Sequence, residues 1–321
     1  MKQKRLGRQT VVFEVPPRIA AGATIVGDME GAGPLGGYFD LILEDDTWGE
    51  DTWEKAERKM FEQTVRRALE RCAMQPAEID LLLGGDLLNQ IITANFAARE
   101  LAIPFLGLYG ACSTMAESLL LGSMLIDGGY AGHVACAATS HFSTAERQYR
   151  FPLEMGGQTT PTAQRTVTGA GSSLLVEAGY AGGAQFRHIF VTGGTIGRVV
   201  DLGITDANNM GAAMAPAAAD TLAAHLREQN RTVSDYDMIV TGDLGSFGSE
   251  MFNELCRDKG IDLSDRHRDC GNMIFDPAQK VDCGGSGCGC SAVTLNAFLL
   301  RRMEEGDFTR MLFMATGALM S

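Results

Sequence analysis

The sequence predicts an α/β protein built from two copies of one strand–helix plan. Short apolar runs alternate with helix-length amphipathic segments along all 321 residues, the pattern of strands interleaved with helices. The block EIDLLLGGDL at 78–87 is echoed by DYDMIVTGDL at 235–244, bringing Asp86 and Asp243 into register. Later, DGGYAGHVACAAT at 127–139 is echoed by EEGDFTRMLFMAT at 304–316. Echoes in the same order signal an internal duplication, with a first half over residues 1–185 and a second over 186–321.

Taken in order, the apolar runs place strands at Thr10–Val15, Ile79–Leu83, Gly132–Ala138, Ser173–Glu177, His188–Thr192, Met238–Thr241 and Met311–Thr316. Trp53–Ala73 reads as a long charged amphipathic helix ended by Pro76, and Ala215–Asn230 as another with Pro216 in its first turn. GLYGACSTMAESLL at 107–120 reads as a strand that ends in glycine, turns, presents Cys112 and enters a helix. Its counterpart is a helix opening within GCGCSAVTLNAF at 287–298.

Bulk properties narrow the function. A formal net charge of −13 argues against a nucleic-acid partner. The basic start MKQKRLGRQTVVFEV lacks the apolar stretch of a secretory signal, and no apolar run is long enough to span a membrane. The eight cysteines follow no secreted framework and read as reduced thiols of a cytosolic protein.

Four stretches offer chemistry. A thiol at a helix start feels the positive end of the dipole, which favours thiolate at Cys112; Gly110, Ala111 and Ser113 leave room around it. GGSGCGC at 284–290 is a glycine-rich turn before a helix, suited to an anion or to close packing against the other half. Cys283, Cys288 and Cys290 lack the fourth ligand of a structural zinc site, so no intrinsic metal and no cofactor is expected. GGDLL at 84–88 and TGDLG at 241–245 each set an aspartate just beyond a strand end, where α/β sites form. Of the five histidines none has metal spacing, and His141, after a strand end, is placed to reach a pocket. The loop DLGITDANNMGAAMAPAAADT at 201–221 is rich in small residues and Met, which suits close packing.

On the Gly–Cys–helix turn, the duplication and the segment TVTGAGSSLLVEAG at 166–179, the chain resembles the thiolase superfamily, near β-ketoacyl-acyl-carrier-protein synthase III. Within it, TIGRVVDLGITDANNMGAAMAPAAADT, VTGDLG and CGGSGCGCSAV resemble the stage V sporulation protein AD family. The resemblance implies a five-layered α-β-α-β-α fold, usually dimeric. It also implies work beside a membrane complex, stage V sporulation A, that moves dipicolinic acid as its calcium chelate into the developing spore. The protein would then be made in the cytoplasm and held at the inner forespore membrane through its partners.

Condensing enzymes of the superfamily use a cysteine with a histidine and an asparagine or second histidine. Cys112 matches the nucleophile. Where a synthase has His-x-x-Asn this sequence reads Thr241-Gly242-Asp243-Leu244, and the loop that would carry asparagine reads GGSGC, with Ser286 in place. Losing one oxyanion donor costs about 10²–10³ in rate, and an ionised Asp243 would oppose a thiolate. The expectation is therefore a non-catalytic binding protein. Cys112, Ser113 and Cys288 would form one wall of its pocket, with Asp86, Asp243, Ser286 and His141 around it. The aspartates would suit calcium carried by the ligand; Arg147, Arg150, Arg165 and Arg198 are candidate carboxylate partners. Acyl transfer through Cys112 with His141 as base, and a purely structural subunit, are the alternatives.

Overall fold

The computed structural model describes residues 4–149, 160–263 and 265–318. The first half contributes strands β1 (Arg5–Leu6), β2 (Thr10–Val12), β3 (Arg18–Val26), β4 (Leu41–Ile42), β5 (Leu81–Gly85), β6 (Phe105–Gly107), β7 (His133–Ser140), β8 (Arg165–Thr166) and β9 (Gly169–Val176). Its helices are α1 (Asp28–Gly31), α2 (Trp53–Arg71), α3 (Ile92–Leu101), α4 (Thr114–Asp127) and α5 (Phe142–Tyr149). The second half adds β10 (Gly193–Thr195), β11 (Met238–Thr241), β12 (His267–Asp269), β13 (Gly285–Ser286) and β14 (Met311–Met314). Its helices are α6 (Met210–Gln229), α7 (Gly245–Asp258), α8 (Cys270–Ile274), α9 (Cys288–Thr294) and α10 (Leu300–Glu304), the last two joined through a π-helical turn at Leu295–Leu299.

Two sheets carry the duplication. The first runs β4-β3-β9-β7-β5-β6, with β9 antiparallel to both neighbours and the other pairings parallel. The second runs β12-β11-β14, all parallel. The segment β6-β5-β7 is thus repeated as β12-β11-β14. Helices α2 and α3 cover the outer face of the first sheet, α4 and α9 lie between the sheets, and α6 and α7 cover the second. This is the five-layered, thiolase-like arrangement. The middle core draws on both halves, from Leu83 and Met115 to Val240 and Val293, and β13 of the second half pairs with β8 of the first.

Local chemistry accounts for most elements. Helix α2 starts at Thr52, whose hydroxyl accepts the Lys55 N–H, and buries Ala56, Met60, Phe61, Val65 and Leu69, one stripe at helical spacing. Two expectations need correction, and one strand was not expected. Helix α6 opens at Met210, capped by the Asn209 side chain on the Ala212 N–H, so Pro216 lies inside the helix and not in its first turn. Residues 188–192 form no named strand; only Phe190 bridges to Arg18, and the strand follows at β10. The nine-residue β3, RIAAGATIV, is central yet missing from the sequence reading, because a strand covered on both faces shows no alternation and alanine and glycine carry no strand signal.

Candidate functional site

The site begins at the turn after β6. Ala111 takes a left-handed φ of +50°, rare for a residue with a Cβ and typical of strained functional turns. The turn is held by Ser113 Oγ donating to Gly110 O (2.7 Å) and Thr114 Oγ1 donating to Ala111 O (2.8 Å). Cys112 sits in the resulting 3₁₀ turn, just ahead of α4, with its thiol buried against Asp243.

Asp243 follows the end of β11 and is wholly buried. Its Oδ2 accepts the Gly287 N–H (2.8 Å) and the Ser286 hydroxyl (3.3 Å). Oδ1 takes neither of these bonds, and the Cys112 thiol also acts on the carboxyl as a hydrogen-bond donor. Burial lifts the Asp243 carboxyl to about 7, and the nearby Asp269 adds to the rise. Burial also pushes the Cys112 thiol well above its ordinary value, reinforced by Asp243 and Cys288. Only the Gly287 N–H favours its ionisation. The helix-start effect on Cys112 is therefore outweighed: when the pair carries charge it resides on Asp243, and Cys112 remains a thiol.

The surrounding groups fix this geometry. Gly287 takes φ +97°, and a Cβ on Gly289 would come within 2.5 Å of the Gly169 carbonyl oxygen, so the glycines of GGSGCGC let α9 pack onto the first half. Ser140 Oγ accepts the Gly289 N–H and donates to Val167 O. The Gln164 amide donates to Asp243 O and Gly285 O. Asp269, at the end of β12, accepts the Leu244 and Gly245 N–H groups and the Thr241 hydroxyl. Burial raises its carboxyl to about 6. Asp269, Gln164 and Ser140 were absent from the sequence reading. The pattern Asp269-Cys-Gly-Asn272, an aspartate accepting from the N–H three residues on, was the one available signal.

The remaining candidates separate. Asp86 is buried with both oxygens committed, Oδ1 to the Leu88 N–H (2.7 Å) and Oδ2 to the Ala94 N–H (2.8 Å). Its charge still reaches Cys288. Cys288 donates its thiol to Thr139 O (2.9 Å), and Cys283 donates to Pro161 O. His141 accepts the Ser143 N–H at Nδ1 and so donates from Nε2 to Asp46 O; burial lowers its basicity. Both ring nitrogens of His141 are used within the protein. Arg147 pairs with Glu54, Arg198 holds Asp220 through two bonds of 2.8 Å, and Arg165 stacks on Phe142 near Glu30. Arg150 lies outside the described residues. Among the described residues no three His, Cys, Asp or Glu side chains converge as a metal site, and no helix is long and apolar enough to cross a membrane.

Gly110 and the half-buried Ser113, on either side of Cys112, line one end of a cavity of about 910 Å³. This cavity continues along α4, residues 189–205 and β14.

Known proteins resemble this chain in sequence and in fold. A profile of the family described as Stage V sporulation protein AD matches residues 7–321. Stage V sporulation protein AD of Bacillus subtilis (strain 168) is 45% identical over 318 residues, 99% of this chain and 92% of that protein. Among solved structures, 3-oxoacyl-[acyl-carrier-protein] synthase III from Aquifex aeolicus VF5 superposes with a TM-score of 0.57 at 13% identity, over 94% of this chain and 96% of that one. A variant of Xanthomonas campestris OleA gives 0.63 at 16% identity, over 95% and 94%. At such identities the likeness establishes the shared fold, not a shared reaction.

Proposed function

This chain belongs to the stage V sporulation protein AD family, and from that premise we propose that it is a non-catalytic binding protein for dipicolinic acid, held as the calcium chelate. The family ties the chain to sporulation. The observation that carries the finer reading is the Cys112–Asp243 pair. The pair opposes a thiolate, and it sets the buried Asp243 carboxyl against the Cys112 thiol, with Oδ1 outside the Gly287 and Ser286 hydrogen bonds. Such an oxygen suits a hard cation borne by the ligand. The Gly287 N–H and Ser286 hydroxyl would orient the carboxylate, and Ser113 opens the way from the adjoining cavity. Arg147, Arg165 and Arg198 are already engaged with carboxylates, which disfavours a bare dianion beside Asp243 and favours the neutral chelate. Of the two aspartates, Asp86 acts at a distance, through Cys288.

Calorimetric titration with dipicolinic acid, with and without calcium, tests this. Saturable binding that needs calcium and weakens at least tenfold in Asp243→Ala and in Cys112→Ala is expected. Equal affinity with and without calcium would remove the chelate from the proposal, and no heat in either condition would remove the ligand.

We further propose a homodimer through the β6 edge, where Ile92, Phe96, Leu106 and Tyr109 expose an apolar patch. Attachment to the inner forespore membrane would run through other subunits of the stage V sporulation A complex. The second reading, acyl transfer through Cys112, is favoured by the strained Ala111 turn. An adduct in the intact mass after exposure to short acyl-CoAs, lost in Cys112→Ala, would support it over the first.

A further inference from the structure

A second cavity, of about 1160 Å³, opens where the chain leads from α6 towards β11 and past the end of α7. It lies where β11 begins, whereas Asp243 follows the last residue of that strand. Six cations stand on its walls: Arg5, Arg8, Arg198, Arg227, Arg231 and Lys259. In a chain of net charge −13 such a concentration needs a cause. Cations at the ends of α6 and α7 complement the helix dipoles, but Arg5 and Arg8 arrive from the β1–β2 hairpin and lie on no helix.

The carboxylates of the cavity, Asp220, Glu228 and Asp262, do not balance these charges. Asp220 is occupied by Arg198. Glu228 accepts the Gln9, Arg8 and Thr10 N–H groups, which pushes its carboxyl down to about 2. Among the described residues Arg5, Arg8, Arg231 and Lys259 enter no ion pair.

A buried hydrogen-bonded chain fixes one of these cations. The Arg231 guanidinium donates to Tyr236 Oη (3.2 Å) and lies over its ring. Tyr236 Oη bonds His225 Nε2 (2.6 Å), His225 Nδ1 bonds Thr195 Oγ1 (2.7 Å), and Thr195 Oγ1 bonds Thr10 Oγ1 (2.8 Å). The Thr10 hydroxyl then donates to Glu228. Arginine only donates and a carboxylate only accepts, so every hydrogen along the chain points from Arg231 towards Glu228. This polarity needs a neutral His225 protonated at Nδ1, and burial lowers its basicity to about 4. The chain begins and ends on the cavity wall and holds Arg231 there through a single side-chain donor.

We propose that this cavity binds an anion bearing two or more phosphate groups, at a site separate from Cys112 and Asp243. Guanidinium forks match phosphate oxygens in pairs, and a cation already held in place lowers the ordering cost of binding. Cations drawn from separate segments around so large a cavity suit several anionic groups rather than one. The charge of the whole chain repels weakly charged anions, which leaves ligands of high local charge.

Calorimetric titration of the full chain with inorganic tripolyphosphate at low ionic strength tests the proposal. Saturable binding is expected, at least tenfold tighter than that of inorganic monophosphate. Arg8→Gln, Arg231→Gln and Lys259→Gln each weaken it at least threefold, and the three together at least thirtyfold. Arg302→Gln removes a cation outside the cavity and leaves the affinity unchanged. The exposed Arg8 and Lys259 can be replaced without disturbing the core, so their loss of binding does not reflect unfolding. Sedimentation with cardiolipin vesicles, abolished by the same substitutions, would identify a lipid head group as the ligand. Binding of tripolyphosphate without such sedimentation would identify a free one. Absence of saturation, equal affinity for monophosphate, or an equal loss in Arg302→Gln would overturn the proposal.

Discussion

Asp86 and Asp243 leave equivalent places in the two halves, each just past the end of a buried strand, and they do different work. Asp86 turns back on its own chain, and its two oxygens take the Leu88 and Ala94 N–H groups at the entry to α3. In the second half the corresponding task at the entry to α7 falls to Asp269, which takes the Leu244 and Gly245 N–H groups from a neighbouring strand. Asp243 is thereby released to face Cys112 and Gly287. A duplicated framework acquires a site when one copy's structural duty passes to another residue.

That contrast can be broken in measurable ways. The largest effect concerns pH. Because the folded state holds the Asp243 proton up to about 7 while the unfolded chain releases it near 4, the unfolded state binds fewer protons in between. Unfolding free energy then falls as pH rises from about 4 to about 7, and is retained below 4. Asp243→Asn should flatten this fall by at most about 4 kcal/mol, read from urea unfolding across that range. An unchanged slope would mean that other raised carboxyls, among them Asp269, Glu30, Glu57 and Asp86, carry it.

Removing the structural twin should act on stability at every pH. Asp86→Ala strands two buried N–H groups, at a cost of about 2–4 kcal/mol in unfolding free energy, with ligand affinity changed less than in Asp243→Ala. Equal losses of binding in the two variants would erase the division of labour.

Thiol reactivity sharpens the other side of the comparison. Cys112 should react with iodoacetamide at pH 8 at least tenfold more slowly than an unstructured cysteine, since only thiolate attacks. Asp243→Asn should narrow that gap, as followed by peptide mass spectrometry. Cys112 labelling first among the eight buried thiols would favour acyl transfer. The smallest effect belongs to Ser286→Ala, which loses one long bond to Asp243 at 3.3 Å and should cost about 0.5–1 kcal/mol.

Much of this was legible before folding. Strand β11 has the predicted bounds, and β5, β7 and β14 fall within a few residues of theirs. Their apolar runs are flanked by turn residues and occur twice. The grouping of Cys112 with Asp243 and Ser286 came from the family resemblance, not from the echoes. His141 was placed near a strand end correctly, but its partner is Asp46, ninety-five residues away in sequence, and no local pattern encodes such a contact. The same is true of Asp269 beside Asp243.

The sequence by itself determined the duplicated α/β plan, the elbow that displays Cys112 and the presence of two buried-strand aspartates, because periodicity, glycine placement and repetition are local properties of the chain. Tertiary structure alone decided which aspartate faces the thiol and that the thiol stays protonated. Each of these depends on burial and on neighbours brought in from distant sequence, and electrostatics in a dry interior is set by what surrounds a group.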